Sequence, residues 1–144
     1  MTGIPTDGHA RARGETLAQI STRLVQLHRR YYGKGPTKAK TQILDDIVLC
    51  NLVGGLTTIE RTLIEAGKDE SVYRMRRSFQ LGMEEEFKQV VEEASGRRVI
   101  AYMSAIHLDP VMAIELFVLE AVPEQELLAT GAEADGNGRG PPDA

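Results

Sequence analysis

The chain has 144 residues, of which 42% are hydrophobic and 26% charged. That balance fits one globular domain and excludes both a disordered polymer and two sizeable cores. The formal net charge of −4 is unevenly spread: residues 1–44 carry eight Lys/Arg against two acids, the remainder nine against nineteen. A basic arm leading an acidic body favours self-association or an anionic partner for the arm, and the acidic body, with no base-reading motif, argues against nucleic-acid binding.

No stretch approaches the ~18–20 apolar residues of a membrane-spanning helix, so direct membrane insertion is not expected. The opening residues, MTGIPTDGHARARGE, lack the continuous apolar segment of a secretion signal. Cys50 is the single cysteine, lies in an apolar run and has no internal disulfide partner, which suits a reducing compartment. The expected location is cytoplasmic, reaching the inner face of a membrane only through a partner.

Residues 1–11, rich in Gly, Pro and Thr, read as disordered, and residues 124–144 as a flexible tail broken by Gly and Pro; a single domain spans 12–123. Helix 1 is expected from about Glu15 to Tyr32, because Leu17, Ile20, Leu24, Leu27 and Tyr31 recur at spacings of three and four. Such a seam packs either on the protein's own sheet or on a second copy of itself. Gly33 stops the helix and Pro36 forbids its continuation. The chain then turns β-rich over Gln42-Ile43-Leu44 and Ile47–Val53, with Asp45-Asp46 between: either one strand with an exposed carboxylate or a hairpin.

Gly54-Gly55 ends this segment, and Thr57 with Glu60 fits a capping box that opens helix 2. Gly67 ends helix 2, and helix 3 runs from about Glu70 to Ala94, closed by Gly96. Its expected apolar stripe is Val72, Met75, Phe79, Met83, Phe87, Val90 and Ala94. Strands over Arg98–Ile106 and Ala113–Glu120 follow, joined by a turn at Leu108-Asp109-Pro110. Three helices and an antiparallel sheet of three to four strands, in the order α-β(β)-α-α-β-β, give a two-layer α+β sandwich.

No enzymatic constellation emerges. Cys50 sits in an apolar setting, and His9, His28 and His107 show no metal-ligand spacing with it. No phosphate-loop, dinucleotide or nucleophile-elbow motif is present. Neither a cofactor nor a metal is expected. Two segments carry what chemistry there is. In the loop Gly33–Lys40, glycines free the backbone for close approach while Lys34, Gly35, Thr37, Lys38 and Lys40 offer donors to a small anion. Its position after a helix C-terminus, where the dipole has the wrong sign, favours a plain connecting loop. On helix 3, Arg74, Arg76 and Arg77 precede Glu84 and Glu85 by two turns; this reads as a charged docking surface or as a solvated face. Asp45 and Asp46 alone provide too few oxygens for a cation.

From Tyr32 to Leu119 the chain resembles the MpsC family. The resemblance rests on Gly33-Lys34-Gly35-Pro36-Thr37-Lys38-Ala39-Lys40-Thr41, Ile43-Leu44-Asp45-Asp46, Gly54-Gly55-Leu56-Thr57 with Glu60, and Leu63 to Gly67. Arg76, Phe79, Gly96-Arg97-Arg98-Val99, Asp109-Pro110 and Phe117-Val118-Leu119 complete it. It implies a component of a sodium-translocating system that generates membrane potential, with no catalytic residue to carry over. The expectation is therefore a non-catalytic accessory or regulatory protein, a homodimer beside a membrane-embedded transport complex. The alternative is a small-anion or nucleotide sensor using the Gly33–Lys40 loop.

Overall fold

Seven elements follow one another along residues 5–122, the part of the chain that the computed structural model describes. They are α1 (Pro5–Tyr32), β1 (Lys38–Leu44), β2 (Ile47–Val53), α2 (Thr58–Glu65), α3 (Asp69–Ser95), β3 (Val99–Leu108) and β4 (Val111–Leu119). The protein is an α+β sandwich in the expected order, with four strands.

Helix α1 begins at Pro5 rather than Glu15. Proline suits the first helical position, because the N–H it lacks has no partner there. Residues 11–15 are exposed and touch no core, and the sequence ahead of Leu17 offers no apolar period to read. Residues 5–11, expected to be disordered, are thus helical; residues 1–4 and the expected tail, 124–144, lie outside the described residues.

The strand order is β1-β2-β4-β3, with every neighbouring pair antiparallel. Asp45-Asp46 is the two-residue turn of a β1–β2 hairpin, in which Leu44 faces Ile47. Asp45 takes φ 51, a left-handed conformation that aspartate tolerates better than most side chains. This resolves the choice between one strand and two. Asp109-Pro110, joined by a cis peptide, turns β3 into β4, and β4 inserts between β2 and β3. A register shift at Ile100 interrupts the β3–β4 ladder.

Helices α1 and α3 lie antiparallel on one face of this sheet, tied by Arg23 to Glu93 at 2.7 Å and by the Tyr31 hydroxyl donating to Glu86. Between helices and sheet sits the core: Ile20 and Leu24 from α1, Val48, Cys50 and Leu52 from β2, Met83, Phe87 and Val91 from α3, Phe117 and Leu119 from β4. Phe87 and Phe117 are fully buried, each contributing about 1.5–3 kcal/mol relative to exposure. The α1 seam is therefore spent on the protein's own sheet. A smaller cluster of Leu56, Val72 and Leu108 closes the end where α2 packs.

Candidate functional site: a buried charge network and an open sheet face

The N-terminus of α2 forms the expected capping box. Thr57 accepts from the Glu60 amide at 3.2 Å, and the Glu60 carboxylate accepts from the Thr57 amide at 2.9 Å. The same carboxylate also receives both arms of Arg76, Nε at 2.5 Å and Nη2 at 2.6 Å. Arg76 Nη2 donates as well to the Gly55 carbonyl at 3.1 Å, and its guanidinium carbon lies 4.0 Å from the centre of the Tyr32 ring. One ion pair thus joins α1, α3, α2 and the glycine loop. Glu60 has no exposure and Arg76 only 5%. Burial alone would raise the Glu60 pKa; the Arg76 donors and the Thr57 amide outweigh it and hold the carboxyl below its usual range. Gly55 (φ 92) makes the loop possible, since a Cβ there would stand 3.1 Å from Pro36 N.

A second buried carboxyl lies on the sheet's helix side. Glu115 of β4 has no exposure; one oxygen accepts from the Tyr102 hydroxyl, and the other has no hydrogen-bond partner. His28 Nε2 stands 3.8 Å from that free oxygen. His28 Nδ1 donates to the Leu24 carbonyl at 2.8 Å, which leaves Nε2 as the lone-pair nitrogen facing Glu115. Burial pushes the Glu115 carboxyl up to about 7 against the opposing pull of Tyr102 and Ser104, and burial lowers His28. Burial thus favours the neutral form of both side chains, and no hydrogen bond joins them. With no solvent exposure at either carboxylate, no substrate reaches them in this state.

The residues expected to bind an anion lie apart from this network. Lys34, Thr37, Lys38 and Lys40 are exposed, while the Thr37 hydroxyl is engaged with the Val53 carbonyl at 3.0 Å. Gly35 packs against α1, where a Cβ would meet Arg29 Cβ and the Val25 carbonyl at 3.3 Å. The loop is thus packed on neighbouring backbone, and Lys38 and Lys40 belong to the far face of β1.

The expected surface on helix 3 is divided. Arg74 and Arg77 are exposed and line, with Glu70, Tyr73, Gln80 and Ser104, an open cleft of ≈ 320 Å³ beside the edge strand β3. Arg76 is not on that surface: it points inward to Glu60, as described above. Glu84 and Glu85 pair with Lys88 on their own helix, at 3.3 Å and 3.7 Å. Asp46 pairs with Arg97 at 2.6 Å, which fastens the β1–β2 turn to the end of α3. Cys50 is buried, and burial pushes its thiol up to about 11, far from a nucleophile's range. Among the described residues no three His, Cys, Asp or Glu side chains gather as a metal site, and no helix is long and apolar enough to cross a membrane.

The feature that sequence reasoning missed is the other face of the sheet. Side chains directly opposite one another across the strands share a face. On the face away from the helices they form four rows: Ile47–Val118–Ala101, Leu49–Leu116–Met103, Asn51–Ile114–Ala105 and Val53–Met112–His107. Ten of these twelve are apolar, and no described helix lies over them. Met103 is 55% exposed, Ile47 39%, Ile114 38% and Val53 36%, with Leu44 at 66% and Ile100 at 57% on the rim. Lys38, Lys40 and Gln42 border the face along β1. A legible signal existed: β2 and β4 are apolar in both alternating phases, as strands covered on two sides are.

The family model for the Na+-translocating membrane potential-generating system, MpsC, matches residues 12–121. The chain belongs to the MpsC family. Its buried network is assembled from residues that carried the resemblance in the sequence: Gly55, Thr57, Glu60 and Arg76. No curated protein and no solved structure matches the chain.

Proposed function

We propose that this MpsC protein is a non-catalytic accessory or regulatory component of a Na+-translocating membrane potential-generating system, working at the cytoplasmic side by contact with other protein chains. The observation that carries this reading is the open sheet face, an apolar surface of the kind that marks an interaction site. The chemistry of the interior agrees with it. The two buried carboxyls are sealed in the interior, where Glu60 ties α2 to α3 through Arg76 and Glu115 bonds Tyr102 on the neighbouring strand. With no described helix suited to crossing a bilayer, translocation falls to a membrane-embedded partner in this reading, and the present chain acts on that partner.

Quantitative co-purification of the tagged chain from gently solubilised membranes of its own host tests the proposal. Stoichiometric recovery of a multi-spanning transport subunit is expected. Recovery of the chain alone, wholly in the soluble fraction, would reject the accessory reading.

A further inference from the structure

We propose that the open sheet face is the contact between two copies of this chain, packed face to face about a two-fold axis that runs parallel to the strands. This rests on the reading of the chain as an interaction module and names one of its partners. Four strands at ~4.8 Å spacing and seven residues at ~3.3 Å rise give a face of roughly 440 Å² in projection, before side-chain relief is counted. That is of the same order as the ~800 Å² of accessible surface that each partner gives to a standard interface. Its composition is right for one: an apolar centre bordered by lysines and glutamine.

The chain's own remaining residues are a poor cover, since residues 1–4 and 123–144 together contain only four large apolar side chains, Met1, Ile4, Leu127 and Leu128. The seam of α1, the other surface with the pattern of a self-contact, is already consumed by the core.

The strand order selects the symmetry. Because β2 and β4 are central, an axis parallel to the strands lays β2 of one copy over β4 of the other, so that Leu49 meets Leu116 twice. The same operation lays β1 over β3, bringing Lys38 of one copy to the level of His107 and the exposed Asp109 of the other. An axis across the strands would instead stack β1 on β1 and collect the lysines of both copies along one edge, a repulsive arrangement. Two twisted antiparallel sheets packed in this way, about 10 Å apart and about 30° from aligned, make a β-sandwich with helices on both outer sides.

The test is the mass of the full chain by light scattering at tens of micromolar, for wild type and three lysine variants. Wild type is expected at twice 15.8 kDa. Ile114→Lys and Met103→Lys are each expected to weaken association by roughly tenfold or more, with unchanged circular dichroism. Met103 is more than half exposed on an edge strand, so its variant keeps the test valid should Ile114→Lys fold poorly. Leu81→Lys, on the exposed side of α3, is expected to stay dimeric. A monomeric wild type, or a dimer that survives both face variants, overturns the proposal. So does a dimer broken by Leu81→Lys alone. A dimer recovered without any membrane subunit supports this surface while rejecting the accessory reading, and a monomer that captures such a subunit does the reverse.

Discussion

The two faces of the sheet use the same alternating strands to opposite ends. Towards the helices, β2 and β4 present Val48, Cys50, Leu52, Phe117 and Leu119, together with one charged residue, Glu115. Away from them the same strands present Ile47, Leu49, Ile114, Leu116 and Val118, with no charge at all. The closed face therefore tolerates a carboxyl that the open face lacks. The reason lies in what covers each. On the closed side Tyr102 of β3 and His28 of α1 stand at fixed positions beside Glu115, so a buried polar group is satisfied in part by the protein's own side chains. A face that meets another protein chain gains most from a charge-free centre. The open face is unusually apolar for a surface with no described helix over it, which is the ground for proposing it as a contact surface.

The contrast is broken most strongly at Arg76. Replacing it by alanine strands the fully buried Glu60 without a counter-charge, and a loss of about 3–5 kcal/mol is expected in urea unfolding. If Arg76 were the surface residue that its charged neighbours imply, the loss would stay near zero.

Next come matched truncations on the two faces. Leu52→Ala, at a site 1% exposed, is expected to cost about 2–5 kcal/mol. Leu116→Ala, from the open face, is expected to cost about 1 kcal/mol or less in dilute unfolding experiments, where the chain is single. Equal costs would mean that the open face is covered within one chain.

Glu115 sharpens the picture through pH. Its carboxyl is raised from 4.5 to about 7 in the folded chain, so the folded state holds its proton longer than the unfolded state does. Stability from this group is therefore present at low pH and lost as pH rises from 4.5 towards 7. Glu115→Gln removes that loss, and the variant should gain on wild type by up to roughly 3 kcal/mol across this window. His28, lowered from 6.5, works in the other direction, because the unfolded chain takes up its proton first as pH falls. Comparing wild type with the glutamine variant at each pH cancels that contribution. A difference that stays flat with pH would mean that Glu115 is ionised normally.

Much of this architecture was legible before the structure. Thr57 with Glu60, the stop at Gly96 (φ 70), and the Asp109-Pro110 turn all signal through local backbone chemistry, which depends on a few neighbouring residues. The inward face of α3 agrees with the expected stripe at Val72, Met83, Phe87 and Val90 and departs from it at Met75 and Phe79. Its buried positions are Val72, Arg76, Gln80, Met83, Phe87, Val90 and Val91, and two polar members break the apolar period. Hydrophobicity alone therefore shifted the stripe to Met75 and Phe79, of which Phe79 is 38% exposed. Arg76 faces inward because Glu60, sixteen residues earlier, receives it; no periodicity carries that information. The open face was hidden for a related reason, since which phase of β2 and β4 meets the helices depends on the packing of α1 and α3.

The most direct test of the open face as a contact surface is oxidation of Met103 by hydrogen peroxide, followed by mass spectrometry at high and low protein concentration. Backbone amides in paired strands are protected with or without a partner, whereas a thioether reports cover over the side chain itself. Met103 is 55% exposed in a single chain and Met83, at 3%, serves as the buried reference. The account predicts that Met103 is shielded at tens of micromolar and becomes reactive on dilution, while Met83 stays slow throughout. A Met103 that oxidises at the same fast rate at every concentration would contradict it.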